Sequence, residues 1–378
     1  MVKEVTPLNE KQKQLLAALS SEDIDVVGVF GPSGTGKSFL TCAHALNAIE
    51  SGKYARFIII RPVVDVNSGK RYSSVELGNL FFDISSSYFF DLTTSIMSES
   101  NVKEMIDQGK IVFADPSFLF GRTFDNTLIF LDDSQHVPPE VVLEAVLRIG
   151  NRSKLVVAGD PVFQASHPKN GATIAREVLW GQERSFIVDF GTRDIVRPGA
   201  KRAFKLALEA KVRMRDLSEE EKKLYDLIYA HAPDAQLITV FDLRSLKRKY
   251  DIRASPDAII ISKEGYLGRL IGKGGERINK IEKESGITLR GIELSLDFKQ
   301  FIAAIHPIGW IKHHIGEVDV IGTSLEIEVD TENFGAFVGQ GGIFVRFLDE
   351  VFRGLLGVGV KVKGIESSKE RERRVRKK

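Results

Sequence analysis

Cysteine is almost missing from this chain: Cys42 is the only one in 378 residues. One thiol excludes an intrachain disulfide and any zinc site built on paired cysteines. It suits a reducing compartment, so a cytoplasmic location is the expectation. Long apolar runs are missing as well. No stretch approaches the roughly 18 apolar residues that a membrane-spanning helix needs, and residues 1–10 carry no apolar segment of the signal-peptide kind. No membrane partner is therefore expected. Net charge is small, at +2, but uneven, because residues 361–378 hold nine Lys/Arg against three Glu. Segment 367–378 has one apolar residue. It cannot pack and reads as a disordered basic tail.

What is present is core material. The chain is 43% hydrophobic and 28% charged, and its length suggests two or three soluble domains. Over residues 1–210, short runs rich in Val, Ile and Phe alternate with helical stretches. The expected strands are 25–30, 56–60, 110–114, 127–131, 154–158 and 185–190, with helices such as 38–50 and 139–149 between them. That alternation predicts an α/β unit with a parallel sheet, whose ligands sit at the carboxyl ends of the strands.

One such end carries Gly31, Pro32, Ser33, Gly34, Thr35, Gly36, Lys37 and Ser38, which match Gly-x4-Gly-Lys-Ser/Thr. A strand precedes the run and a helix follows it, the context a phosphate-binding loop requires. The glycines let backbone N–H groups close around a β-phosphate, and the helix turns its positive end toward the anion. Lys37 is expected to bridge β- and γ-phosphates, and the Ser38 hydroxyl to ligate Mg²⁺. Leu128–Leu131 then delivers Asp132 and Asp133. Asp132 is expected to hold Mg²⁺ and Asp133 to orient the attacking water. A third apolar strand ends at Gly159-Asp160 and is followed by Gln164. That residue can reach a γ-phosphate or its water, or be an ordinary loop residue.

These blocks, taken in order, resemble the PhoH-like ATPase family, which is related to superfamily-one helicases. The resemblance runs from Thr6 to about Ala210. It includes Leu8–Gln12, the phosphate loop, Arg61-Pro62, Leu77–Leu80, Phe120–Thr123, Leu131–Gln135, Gly159–Gln164 and Asp194–Arg197. It implies a RecA-type fold with ATP as the ligand, Gln12 against adenine, and Arg197 as the γ-phosphate arginine. Two departures stand out. Asp133 occupies the place where the family carries Glu, which shortens the reach toward water. The stretch 63–91 keeps only part of the family pattern.

Residues 211–250 read as a polar helical connector, with a capping box at Ser218–Glu221. Beyond it two units repeat one order of strand, short helix, Gly loop, long helix and strand. The first, in 251–305, carries Gly272, Lys273, Gly274 and Gly275. The second, in 306–366, carries Gly339, Gln340, Gly341 and Gly342, with Arg346 one turn into the next helix. The first resembles a KH domain, in which glycines let the backbone approach nucleic-acid phosphates. Lys273 would pair a phosphate, and Leu267, Leu270, Ile271 and Ile278 would line a groove for about four unpaired bases. Single-stranded RNA is the expected partner, and single-stranded DNA is also compatible, because no residue can be assigned to a 2′-hydroxyl. The second loop has no cation, so binding and scaffolding stay open there. His306, His313 and His314 read as surface or packing residues, and Phe81, Phe82, Phe89 and Phe90 as core.

The whole predicts an RNA-associated ATPase: a RecA-type P-loop domain, a helical connector and two small α+β KH-like domains. Two rivals remain. One is an RNA-binding module with a slow or regulatory nucleotide site. The other is a helicase, which would need a ring of copies because the chain holds one phosphate loop.

Overall fold

The structure is a computed structural model that describes residues 2–119, 121–164 and 169–366. It falls into two units, Met1–Lys201 and Arg202–Lys378. The tail expected at 367–378 lies outside the described residues, as does Phe120 of the Phe120–Thr123 block.

The first unit runs α1 (Glu10–Ser20), β1 (Val26–Phe30), α2 (Lys37–Glu50), β2 (Arg56–Ile60), a ribbon of β3 (Val63–Val64) and β4 (Arg71–Tyr72), then α3 (Ser74–Leu77), α4 (Asn79–Thr93) and α5 (Glu99–Asp107). It continues through β5 (Ile111–Ala114), β6 (Thr127–Leu131), α6 (Pro139–Leu147), β7 (Lys154–Gly159), α7 (Gly171–Leu179) and β8 (Ser185–Asp189) into α8 (Pro198–Arg213). Six strands form one sheet in the order β5-β2-β6-β7-β1-β8, and every pairing in it is parallel. All six expected strands are present.

Side-chain alternation explains why this sheet is covered on both faces. In β1, Val27 and Val29 join one core cluster with α1 and α2, while Val26 and Phe30 join the other with α6 and α7. In β6, Leu128 and Phe130 face the first cluster, and Ile129 and Leu131 the second. A strand buried on both faces reads as a continuous apolar run, as these do. Phe81 and Phe89 are buried in this unit, whereas Phe82 is exposed. Among the described residues, no helix is long and apolar enough to cross a membrane.

The second unit continues through α9 (Glu219–His231), β9 (Leu237–Asp242), α10 (Arg244–Lys249), β10 (Ala258–Ser262), α11 (Leu267–Ile271), α12 (Glu276–Ser285) and β11 (Leu289–Glu293). It ends with α13 (Phe298–Ile305), β12 (Ile315–Ile321), β13 (Ser324–Asp330), α14 (Phe334–Val338), α15 (Ile343–Leu356) and β14 (Gly359–Ile365). Two three-stranded sheets result, β11-β10-β9 and β12-β13-β14. Each joins one parallel to one antiparallel pairing.

The connector expected at 211–250 is not one. Its residues 237–242 are the edge strand β9, paired antiparallel with β10. Leu224 and Ile228 of α9 share a core with Ile260, Leu270 and Ile281. The capping box at Ser218 and Glu221 does form. Glu221, though, also takes the Arg215 guanidinium at 3.0 Å and the Asp242 amide at 3.0 Å. Burial of α9 and β9 therefore belongs to the first Gly-loop domain.

His306 confirms the packing expectation. It is 4% exposed, accepts the Ile308 amide on Nδ1 at 3.1 Å, and donates from Nε2 to the Phe337 carbonyl at 3.0 Å. Burial pulls its pKa below the ordinary 6.5, against the two backbone bonds. The unfolded chain thus takes up a proton first as pH falls below 6.5, and the stability this group contributes is lost on the acid side. Urea midpoints followed from neutral to acid pH should fall for the wild type and fall less steeply for His306→Phe.

A second prediction concerns the first unit. Arg176 of α7 grips Asp189 at the end of β8, with Nε at 2.9 Å and Nη2 at 2.6 Å from the two carboxylate oxygens; both residues are buried. Asp189→Asn strands a buried guanidinium and should cost about 3–5 kcal/mol in chemical denaturation. The double change Arg176→Met/Asp189→Leu should recover most of that loss.

Candidate functional site

The carboxyl ends of β1, β6 and β7 converge on a cavity of about 910 Å³. It is lined by Gln12, Ser33, Gly34, Gly36, Lys37, Ser38, Asp132, Asp133, Gln164 and Arg197, residues drawn from five separate sequence blocks. Gly31, Pro32 and Thr35 complete the loop behind them. Gly31 has φ +139°, and a Cβ there would lie 2.4 Å from the Phe190 carbonyl oxygen. Only glycine lets the loop pass that close to β8. The loop folds on its own lysine: Lys37 Nζ donates to the Gly31 and Pro32 carbonyls at 2.7 and 2.8 Å. Burial pulls the Lys37 ammonium pKa down, while Asp160, Asp132 and Asp133 pull it back.

Asp132 ends β6 and is 2% exposed. Its carboxyl is pushed up to about 6 by burial and then by neighbouring Asp133, and hydrogen bonds from Tyr88 and Ser38 oppose the rise. Asp133 stands in left-handed backbone, φ 51° and ψ 40°, a conformation that Asp enters more readily than most side chains. Its Oδ2 takes Arg61 Nε at 2.9 Å and Nη2 at 2.8 Å, and its Oδ1 takes Gln135 Nε2 at 3.3 Å. Arg61 thus makes the intramolecular ion pair that its residue type allowed, and it makes it with the carboxylate expected to orient water. Gln135 Oε1 in turn accepts the Asp160 amide at 3.0 Å. Asp160 Oδ1 accepts the amides of Val162 and Phe163 at 3.0 and 2.8 Å, which shapes the turn that presents Gln164.

Gln12 departs from its expected role. Its Oε1 accepts the Leu8 amide at 2.7 Å and its Nε2 donates to the Thr35 carbonyl at 2.8 Å. At 3% exposed, it braces the phosphate loop from behind. Arg197 is exposed and lines the cavity of its own chain. Tyr88, from α4, is a residue that motif reading missed. Its hydroxyl donates to Asp132, and its ring lies 3.9 Å below the Arg61 guanidinium. The one sequence signal was that stretch 63–91 departs from the family pattern.

A family model described as PhoH-like protein matches residues 4–209. The chain belongs to the PhoH-like family. The PhoH-like protein of Bacillus subtilis (strain 168) is 28% identical over 189 residues, which is 49% of this chain and 58% of that protein. That of Mycobacterium leprae (strain TN) is 30% identical over 200 residues, 52% of this chain and 56% of that protein. Protein PhoH of Escherichia coli (strain K12) is 28% identical over 197 residues, 50% and 54% of the two chains. The chain spans a little over half the length of the curated relatives it matches. A KH domain model matches residues 238–297, so this PhoH-like chain also carries a KH domain. That match takes in β9, in agreement with the structure.

The KH loop sits between α11 and α12. Gly272, Gly274 and Gly275 have φ of 76°, 62° and 84°, and Gly339, Gly341 and Gly342 of the second unit have 74°, 60° and 79°. Six left-handed positions fall on six glycines, so both loops share one backbone shape. Their side chains differ. Lys273 is exposed in the first loop, where Arg277 pairs with Asp234 and donates to the Arg269 carbonyl at 2.8 Å. Gln340 stands in its place in the second, and Arg346 folds back to donate to the Gly341 carbonyl at 2.6 Å. The groove expected in the first unit is narrower than drawn. Leu270 is fully buried in the core, which leaves Leu267, Ile271 and Ile278 partly exposed.

The Gln12 geometry sets a prediction. Gln12→Ala should leave the Leu8 amide and the Thr35 carbonyl without these partners, at about 1–3 kcal/mol. Binding of ATP and GTP should weaken together, by roughly tenfold at ~1.4 kcal/mol, in titrations with fluorescent analogues. A loss confined to ATP would return Gln12 to the adenine.

Proposed function

We propose that this chain is an ATPase that acts with single-stranded RNA. It would bind ATP at the β1–α2 loop and RNA at the Gly272–Gly275 loop. The observation that carries the ATPase reading is that Lys37, Ser38, Asp132, Asp133, Gln164 and Arg197 all line one cavity. Its residues fit a magnesium-bound nucleotide. The Ser38 hydroxyl hydrogen-bonds the Asp132 carboxylate, a pair of hard oxygens of the kind Mg²⁺ takes together with phosphate and water. When bound, the ion would neutralise charge on the phosphates.

The chain's own groups then have distinct work. The loop amides and the start of α2 hold the phosphates. Lys37 would exchange the Gly31 and Pro32 carbonyls for phosphate oxygens. Asp133 would accept a hydrogen bond from the attacking water once Arg61 releases it, and Gln164 would help aim that water. Arg197 would meet charge that develops on the γ-phosphoryl group as its bond to the bridging oxygen breaks. It lines the same chain's cavity, so this role needs no second copy. On the RNA side, exposed Lys273 favours the first loop, whereas Arg346 is already spent on its own loop.

One observation favours a second reading, a slow or regulatory nucleotide site. Asp133 is both shorter than Glu and ion-paired with Arg61.

ATP turnover titrated with single-stranded RNA, single-stranded DNA and no nucleic acid tests the proposal. RNA should stimulate phosphate release, and Lys37→Ala should lower it by roughly 100-fold or more. Lys273→Glu should weaken RNA binding and the stimulation with it. Turnover that survives Lys37→Ala belongs to a contaminant, and a wild type that hydrolyses nothing under any condition removes the enzymatic half. A marked gain in Asp133→Glu would favour the slow switch.

A further inference from the structure

Two carboxylates at the end of β6 must be placed independently, one for the ion and one for water. Both are held by side chains from the same direction. Tyr88 lies on α4, in the stretch between β2 and β5 that departs from the family pattern. Its phenol donates to Asp132 Oδ2. The face of its ring carries the Arg61 guanidinium at 3.9 Å, and Arg61 grips Asp133 Oδ2 through Nε at 2.9 Å and Nη2 at 2.8 Å.

We propose, resting on the ATPase reading, that Tyr88 is a positioning residue for both carboxylates. Its hydroxyl orients Asp132 for the ion, and its ring sets Arg61 and thereby the reach of Asp133. The physical ground is twofold. Donors behind a metal-binding carboxylate fix its orientation, and their loss typically costs 10–100-fold in metal affinity. A guanidinium over an aromatic face is held by the ring's negative quadrupole, which gives Arg61 a platform that an aliphatic residue would not supply. One side chain of α4 therefore acts on both halves of the dyad, on Asp132 directly and on Asp133 through Arg61, and the halves can be separated by substitution.

Tyr88→Phe removes the hydroxyl and keeps the ring; Tyr88→Leu removes both. Binding of a fluorescent ADP analogue is titrated with Mg²⁺ and, separately, in EDTA. For Tyr88→Phe the Mg²⁺ midpoint should rise about tenfold while affinity in EDTA stays at the wild-type value. With ATP at saturating Mg²⁺, Tyr88→Phe should recover turnover and Tyr88→Leu should not. An unchanged Mg²⁺ midpoint in Tyr88→Phe overturns the proposal. So does an equal loss with and without Mg²⁺, because a merely structural tyrosine would damage both. If Tyr88→Leu proves unfolded by circular dichroism, Tyr88→Phe decides the matter alone through its Mg²⁺ midpoint. A wild type that binds nucleotide without any Mg²⁺ dependence would instead sink the ATPase reading itself, a result distinct from a normal wild type with an unresponsive Tyr88→Phe.

Discussion

Charge of both signs buried at the carboxyl edge of a parallel sheet is the constraint on which the first unit turns. Lys37, Asp132, Asp133 and Asp160 converge there; Asp132 and Asp160 are buried, and neither would be tolerated alone so far from water. The parallel sheet makes the convergence possible, because all its strands end on the same side and β6, β7 and β1 are consecutive neighbours. Satisfaction is local in each case. Lys37 turns onto loop carbonyls, Asp132 takes donors from Tyr88 and Ser38, and Asp133 takes Arg61 and Gln135. On the proposed reading, these partners are the ones a polyphosphate and its cation would replace.

The parts of this fold that could be read from sequence were those with local causes. Val26–Phe30 and Leu128–Leu131 are apolar runs of strand length that end in Gly or Asp, and the residues that follow them carry the chemistry. The Gly loops were legible for the same reason, since left-handed backbone demands glycine at particular positions whatever surrounds it. What escaped had non-local causes. Leu237–Asp242 is rich in aliphatic and aromatic residues, a strand signal in itself, but it was absorbed into a connector because its meaning depends on pairing with β10. Tyr88 has no motif around it. It matters because α4 packs where it does, and spacing along the chain does not report that. Gln12 was found at the right place, but with its amide directed to the loop's own Thr35 carbonyl and the Leu8 amide.

Duplication in the second unit separates backbone from side-chain function. Gly272–Gly275 and Gly339–Gly342 repeat the same left-handed torsions to within a few degrees, yet the charges differ. The first loop exposes a lysine. The second spends its nearest arginine on closing itself, through Arg346 to Gly341. Its helix α15 also packs on the first domain: Tyr250 meets Phe347 edge-on at 6.4 Å, and Lys249 pairs with Glu350 at 2.6 Å. The second domain thus keeps the loop shape while it buries one face against its neighbour and ties up its nearest arginine.

Magnitudes decide how binding and turnover relate in the nucleotide site. On the proposed reading the phosphate loop would act through main-chain N–H groups and Lys37, none of which hydrogen-bonds Asp133. Turnover, on the same reading, would depend on Asp133, because a carboxylate with one oxygen on Arg61 and the other on Gln135 has little capacity left for water. Arg61 and Asp133 are each 29% exposed at the side chain, so the pair is screened and contributes only about 1 kcal/mol. The Tyr88 ring adds ~0.5–2 kcal/mol for the guanidinium. Release would then cost roughly 1–3 kcal/mol, a five- to 150-fold bias in population. That is small against the binding energy a nucleotide triphosphate can supply, and large enough to set a rate. On the proposed reading, Asp133 therefore sits under a restraint that nucleotide binding would be strong enough to lift. The shorter side chain fits this arrangement better than Glu would, since it meets Arg61 from a left-handed backbone position that Asp adopts with little strain.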